Sequence, residues 1–307
     1  MNTTELSSLR AFDPSSSTQY QMEFDAESAT LWSFLNPLGN PCFSPSLLHD
    51  IRAQDSLLEQ QKGFVLHEGR PRRAHYYVIA SRVSGVFNLG GDLALFQALI
   101  RMKDRPTLFN YARACVDCIY PRVRNHFIKE LTTISLVQGD ALGGGFETAL
   151  ASDVIIAEEQ ATMGLPEILF NLFPGMGAYS LLARRIGMRP AEEMILSGRL
   201  FKAPELLGMG VIDLVVPKGA GVQATNQWIA QNRKRRVGMN AIHAARQEIH
   251  PITREEMDRI VEIWVDAAMN LEERDLKMMK RLVAAQGRRT GLMEHDVVKA
   301  FGASEAA

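Results

Sequence analysis

Two carboxylates beside glycine- or proline-marked turns are the residues best placed for chemistry. Glu147 closes the run Gly139-Asp140-Ala141-Leu142-Gly143-Gly144-Gly145-Phe146-Glu147. Three successive glycines let a backbone and a ligand approach with no Cβ between them. Amides at a helix start offer donors and a positive partial charge, which suits an anionic oxygen on a bound group. Glu167 follows Met163-Gly164-Leu165-Pro166, where a loop carboxylate beyond a strand can act on a substrate. A third turn, Asn88-Leu89-Gly90-Gly91-Asp92, is also glycine-rich. Taken singly, each has a plain structural reading. The triplet serves a tight turn with Glu147 solvated, Glu167 lies on the surface, and Asp92 caps a helix from near Leu93.

The elements that must hold these turns read as alternating strands and helices. Gln19–Phe24 and Thr30–Leu35 form a hairpin, and Ser44 opens a helix with Leu47, Leu48, Ile51, Leu57 and Leu58 at helical spacing. The basic stretch Arg70–Arg73 reads as a connector into a buried strand from His75 to Ser81. After the Gly90-Gly91 turn, Leu93, Phe96, Leu99 and Ile100 mark one helix, and Pro106 starts another. Ile134–Val137 and Val154–Ala157 are further strands, so an α/β fold with largely parallel pairing is expected. Strand signals stop near Pro217. Thr253 and Glu256 have capping-box spacing, and Met257, Ile260, Val261, Trp264, Ala268 and Leu271 then share a helix face. That apolar stripe must be buried on its own core or on another subunit.

Other chemistries find less support. Cys115-Val116-Asp117-Cys118 has no second pair for zinc and sits in a helical pattern, which favours buried free thiols. His243 and His250 could share a helix face but are expected at the surface. There is no G-x-S-x-G elbow, dinucleotide fingerprint or phosphate loop. Arg233-Lys234-Arg235-Arg236 reads as a solvated face, or more sharply as a carrier-protein or phosphate docking site. Of the 307 residues, 46% are hydrophobic, and 34 Lys and Arg balance 35 Asp and Glu. This suffices for a sizeable core and gives no global field for nucleic acid. No continuous apolar run could span a bilayer, and no secretion signal is read in the first twenty residues. Three cysteines fit a reducing interior. A soluble cytoplasmic protein without metal or other cofactor is expected, with neither nucleic-acid binding nor membrane insertion.

Taken together the turns resemble the crotonase superfamily, the enoyl-CoA hydratase/isomerase fold. Gly143-Gly144-Gly145-Phe146-Glu147 is similar to its glycine-triplet segment, Leu165-Pro166-Glu167 to its second catalytic loop, and Gly91-Asp92 to its first oxyanion segment. The stretches Gly198–Phe201, Gly208–Asp213 and Val216-Pro217 resemble its exit from the core. Within the superfamily, Phe87–Phe96, Ala157–Glu159, Leu172–Ser180 and Glu262–Asp266 resemble the bacterial diffusible signal factor synthases. Leu95 and Phe96 depart from the polar residues usual after that Asp and favour a nearby apolar chain.

The resemblance implies an α/β crotonase-like spiral core of ββα units with a C-terminal helical region. The boundaries expected are a flexible tail at 1–18, a catalytic core at 19–217, helices for oligomerisation and pocket cover at 218–290, and a frayed tail at 291–307. It implies Glu147 and Glu167 as the acid–base pair, with Gly91 and Gly144 donating N–H groups to a thioester oxygen. Candidates for the acyl pocket are Leu95, Phe96, Leu142, Phe170, Leu172, Phe173, Met176, Leu181 and Leu182; core packing is the other reading of each. The activity implied is dehydration of a 3-hydroxyacyl thioester, on acyl carrier protein or coenzyme A, to the cis-2-enoyl thioester, then hydrolysis to the free acid. The alternatives are an ordinary enoyl-CoA hydratase or isomerase and a catalytically silent acyl-binding scaffold. Partners implied are further copies of the chain, trimer-based, and the cognate signal sensor.

Overall fold

The computed structural model describes residues 19–290, with side chains to residue 284; the tails expected at 1–18 and 291–307 lie outside the described residues. Strand β1 (Tyr20–Asp25) pairs antiparallel with β2 (Thr30–Leu35). Strands β5 (Tyr76–Ser81), β7 (Thr132–Val137), β9 (Val154–Glu158) and β12 (Leu214–Val216) continue the same sheet in parallel, in the order β1-β2-β5-β7-β9-β12. A second sheet runs β11-β10-β8-β6, made of β6 (Val86–Asn88), β8 (Asp140–Leu142), β10 (Thr162–Gly164) and β11 (Leu200–Lys202).

The chain alternates between these sheets. Each of β5, β7 and β9 is followed at once by its short neighbour in the other sheet, β6, β8 or β10, and then by helix. These are three successive ββα turns of a spiral. The inner strands are buried on both faces. In β5, Tyr77 and Ile79 join the main core, while Tyr76, Val78 and Ala80 join a second cluster. That cluster is closed by Ile229 of a helix at Gly221–Asn232.

Helix α1 (Pro45–Gln60) is capped by Ser44, whose Oγ accepts the Leu47 N–H. Helices α2 (Leu93–Arg101), α3 (Arg105–Val123) and α4 (Gly144–Leu150) follow the turns anticipated for them. Beyond β10 lie α5 (Ala178–Ile186), α6 (Met188–Ser197) and α7 (Ala203–Gly208), then α8 (Gly221–Asn232). Among the described residues no strand follows β12, and the last helices are α9 (Arg236–Ile249), α10 (Arg254–Met269) and α11 (Glu273–Thr290). Thr253 caps α10 by accepting the Glu256 N–H, and Met257, Val261, Trp264 and Ala268 face inward. No described helix is long and apolar enough to cross a membrane.

Two expectations are corrected. Arg70–Arg73 is a strand (β4) paired antiparallel with β3 (Phe64–His67). Its two-residue turn, Glu68-Gly69, has positive φ at both positions (51° and 71°), which matches the twist of a tight hairpin. The Arg73 guanidinium lies 5.3 Å from the Phe64 ring centroid, so a basic strand finds an aromatic partner. The second correction concerns α9. His250 is exposed, but His243 is half-buried, with Nδ1 3.5 Å from the Asp153 carboxylate. Helix α9 turns its polar side inward: Arg246 also bonds Asp153, and Gln247 reaches Asn125. Val237, Ile242 and Ile249 are left 68–79% exposed.

Candidate active site

Three adjacent parallel strands, β6, β8 and β10, each end in one of the chemically suggestive turns. Gly91 follows β6, Gly144 follows β8 and Glu167 follows β10. The spiral therefore brings together what is far apart in sequence. The first two turns abut closely enough that a Cβ on Gly90 (φ +95°) would sit 2.7 Å from the Leu142 carbonyl oxygen and 3.1 Å from the Gly144 nitrogen. A Cβ on Gly144 would lie 2.5 Å from Met176 Sδ, and one on Gly143 (φ +51°) would strike Glu167 Oε1. Asn88 Oδ1 shapes the first turn by accepting the Gly90 N–H at 2.7 Å. Neither Gly91 nor Gly144 donates its N–H to an acceptor among the described residues.

Glu147 lies in the first turn of α4 and is 1% exposed. Its Oε1 accepts the backbone N–H groups of Met176 (2.7 Å) and Ala178 (2.9 Å). Glu167 sits in a 3₁₀ turn over Pro166–Phe170, half-buried, with Oε2 sealed from solvent and unpartnered. Burial pushes the Glu147 carboxyl above the ordinary carboxylate range, and the two N–H donors oppose that rise only in part. Burial pushes Glu167 up as well, and the charge of Glu147 adds to it. No cation offsets either rise among the described residues. Two carboxyls so arranged release their protons less readily than ordinary carboxylic acids and can give and take protons at a group lying across them.

That group would lie in a cleft with two lobes. The inner lobe is lined by Gly91, Gly144, Glu147 and Glu167 and walled by apolar side chains. The outer lobe shares Gly91, Leu93, Glu167 and Phe170 and extends past Leu142 and Leu200 to Leu282 of α11. Of the residues anticipated for an acyl pocket, Phe96, Phe170, Leu172 and Met176 line the inner lobe and Leu142 the outer. Leu95, Phe173, Leu181 and Leu182 line neither. Leu95 stands one residue before Phe96, and Phe173 one after Leu172; both are turned onto the core. Leu181 borders a separate cavity beside Arg184 and Arg246, and Leu182 is fully buried.

The inner wall also holds residues with no distinctive sequence signal: Leu93, Tyr111, Ala112, Cys115 and Trp264. Tyr111, Ala112 and Cys115 share a face of α3, and Trp264 comes from α10. The Phe96 ring meets Tyr111 and Trp264 edge-on, at 5.2 and 5.1 Å between centroids. Gly175 admits the indole, since a Cβ there would fall 2.6 Å from it. Cys115 and Cys118 are buried thiols, as the CxxC spacing within a helix suggested.

Comparison with known proteins gives this arrangement a context. Residues 73–263 match the family model described as enoyl-CoA hydratase/isomerase. A probable mitochondrial enoyl-CoA hydratase 2 of Arabidopsis thaliana is 31% identical over 222 residues, 71% of this chain and 66% of the relative. A glyoxysomal fatty acid beta-oxidation multifunctional protein of Cucumis sativus is 28% identical over 52% of this chain, a match that spans 21% of the relative. Among solved structures, Pseudomonas aeruginosa DspI superposes with a TM-score of 0.63 at 23% identity, covering 83% of this chain and 98% of that one. An enoyl-CoA hydratase from Bacillus halodurans reaches 0.68 at 19% identity, over 86% of this chain and 100% of its own. At these identities the structural likeness speaks for the fold alone.

Proposed function

Because the chain belongs to the enoyl-CoA hydratase/isomerase family, we propose that its cleft acts on a fatty 3-hydroxyacyl thioester, with Glu147 and Glu167 as the acid–base pair. The observation that carries the proposal is a pair of buried carboxyls without a cation, facing the same cavity as two unengaged glycine amides. The thioester oxygen accepts from Gly91 and Gly144. One carboxylate removes a proton from Cα, and the negative charge passes to that oxygen; each prepositioned donor there contributes about 10²–10³ in rate. The other carboxyl gives its proton to the departing 3-hydroxyl, so that water leaves and the C2–C3 double bond forms. The apolar inner wall of Phe96, Leu172, Met176 and Trp264 supports an aliphatic acyl chain there, and the outer lobe suits the carrier arm.

The resemblance to diffusible signal factor synthases supports a second step at the same carboxyls. Water bonds to the carbonyl carbon, the C–S bond breaks, the sulfur leaves as the thiol, and the cis-2-unsaturated acid is released. This makes the protein the source of a fatty-acid signal. Self-assembly fits the exposed apolar stripe of α9, which nothing in one copy covers among the described residues. The cognate sensor protein remains part of this proposal as a further partner. The ordinary hydratase is the second reading, favoured by the name of the Arabidopsis relative.

Mass spectrometry of products from 3-hydroxydodecanoyl-carrier protein, beside Glu147→Gln and Glu167→Gln, tests both. Free cis-2-enoic acid, absent with either variant, is the expected result. A trans-enoyl thioester without free acid assigns the hydratase instead, and full turnover by either variant overturns the acid–base pair.

A further inference from the structure

The Gly91 amide is aimed by a closed ring of hydrogen bonds, and one side chain completes it. Segment Pro41–Phe43 runs beside the first glycine turn. Leu89 donates its N–H to the Pro41 carbonyl at 2.7 Å, and Phe43 donates its own to the Gly90 carbonyl at 2.8 Å. A trans peptide is planar, so its C=O and the following N–H point in opposite directions. Holding the Gly90 carbonyl toward Phe43 therefore turns the Gly91 N–H the other way. The far side of Gly91 is held too. The Tyr111 hydroxyl accepts the Asp92 N–H at 3.1 Å and donates to the Phe43 carbonyl at 2.5 Å. Phe43 is thus bound at both its backbone groups, to Gly90 and through Tyr111 to Asp92. Asp92 in turn caps α2 through the Leu95 N–H, which fixes the turn to the helix carrying Phe96.

We propose that Tyr111, through this hydroxyl bridge, is the positioning residue for the Gly91 half of the oxyanion site. The proposal rests on the thioester reading of the cleft. The hydroxyl donates and accepts at once, joining the Phe43 carbonyl and the Asp92 N–H, which lie side by side where Phe43 and Gly91 form a parallel bridge. Both lie where little water reaches: Phe43 is 2% and Tyr111 7% exposed. Phenylalanine at position 111 would keep the edge-on contact with Phe96 and the wall of the inner lobe while removing the hydroxyl that spaces the two backbone groups, leaving them only each other. The turn would then relax, and the N–H would leave the direction in which charge develops on the thioester oxygen.

The test is Tyr111→Phe, read in two ways. Steady-state turnover of 3-hydroxydodecanoyl-carrier protein should lose roughly 10- to 100-fold in kcat, because small misplacements at a reacting centre cost about that much. KM should stay within about twofold, since the acyl wall is intact. The second readout is the carbonyl stretch of a bound dodecanoyl ketone analogue of the coenzyme A thioester, with CH₂ in place of sulfur, which can be neither dehydrated nor hydrolysed. Its shift to lower frequency on binding should shrink in Tyr111→Phe and persist in Glu167→Gln. An unchanged kcat, or a lost kcat with an unchanged stretch, overturns the positioning role. If Tyr111→Phe does not fold, fluorotyrosine incorporated at position 111 keeps shape and bridge but weakens the hydroxyl as an acceptor. A smaller frequency shift with that residue supports the role and an unaltered one overturns it. No turnover and no binding of the ketone analogue by the wild type would sink the thioester reading instead, whereas full turnover by Glu147→Gln or Glu167→Gln would overturn only the acid–base pair and leave the frequency readout at Tyr111 independent.

Discussion

Two groups of largely buried ionisable side chains lie in this molecule, and they differ in whether cations accompany the carboxyls. One spans α1, β5 and the end of α3. There Tyr20 bonds Tyr77, Tyr77 donates to Asp55 at 2.6 Å, and Arg52 pairs with Glu59, which also faces His126 at 3.4 Å. Arg122 binds the Ser152 hydroxyl and the Ile134 carbonyl, with its guanidinium 5.3 Å from the Tyr77 ring centroid. Burial works against the Glu59 charge, yet His126 and Arg52 outweigh it and hold its carboxyl below the usual range. The other group is Glu147 and Glu167, which receive no cation and face a cavity. Charges supplied with partners hold the core in one arrangement. Carboxyls denied a cation keep a proton affinity suited to chemistry, at a cost in stability.

The sharpest way to break this contrast is to neutralise each group in turn. Glu147→Gln or Glu167→Gln should lower turnover about 10²–10⁴-fold, the span of general acid–base catalysis, without lowering Tm. Steady-state assays beside thermal melts check both halves. Arg122→Met should do the reverse. It removes the cation beside Asp55 and Tyr77 and should cost about 3–5 kcal/mol in urea unfolding, with kcat per folded molecule unchanged.

A smaller effect is the pH dependence. A buried carboxyl whose folded pKa is raised contributes stability below the ordinary carboxylate range and loses it as pH rises through the raised value. Relative to wild type, Glu167→Gln should therefore gain at least about 1.4 kcal/mol at pH 9, the equivalent of one pKa unit, and nothing near pH 3. A gain that is constant across pH would mean that burial does not hold a proton on this side chain. The smallest effect is expected from Tyr20→Phe, about 1 kcal/mol for the lost hydrogen bond to Tyr77 and no change in turnover.

Much of the scaffold was legible because local rules and tertiary packing agree. Thr30–Leu35 is a strand, Ser44 and Thr253 cap their helices, and the glycine turns end at the carboxyls. The remainder was hidden where one pattern serves two outcomes. Tyr111, Ala112 and Cys115 have the helical spacing of core residues, and periodicity does not distinguish a face that meets a core from one that lines a cavity. Trp264 was read as part of a buried stripe, and it is buried, but against Gly175 and the lobe. Helix α9 has an amphipathic sequence, and the amphipathicity alone does not say that its polar side turns inward. The hairpin at Glu68-Gly69 escaped because Arg70–Arg73 is basic, and charge says little about pairing when the partner strand offers Phe64.

The indole of Trp264 has a consequence for the order of events as the chain is made. Synthesis delivers the N-terminal part first. By the time Glu167 has emerged, both carboxyls and both glycine turns are available, yet the cleft lacks the wall that α10 provides. Until that helix docks, Phe96 and Gly175 lie open to water, and the contacts that close them join segments far apart in sequence, which slows closure. The wall of the proposed site is thus completed by a helix made well after Glu167, and a nascent chain carries both carboxyls before that wall is in place.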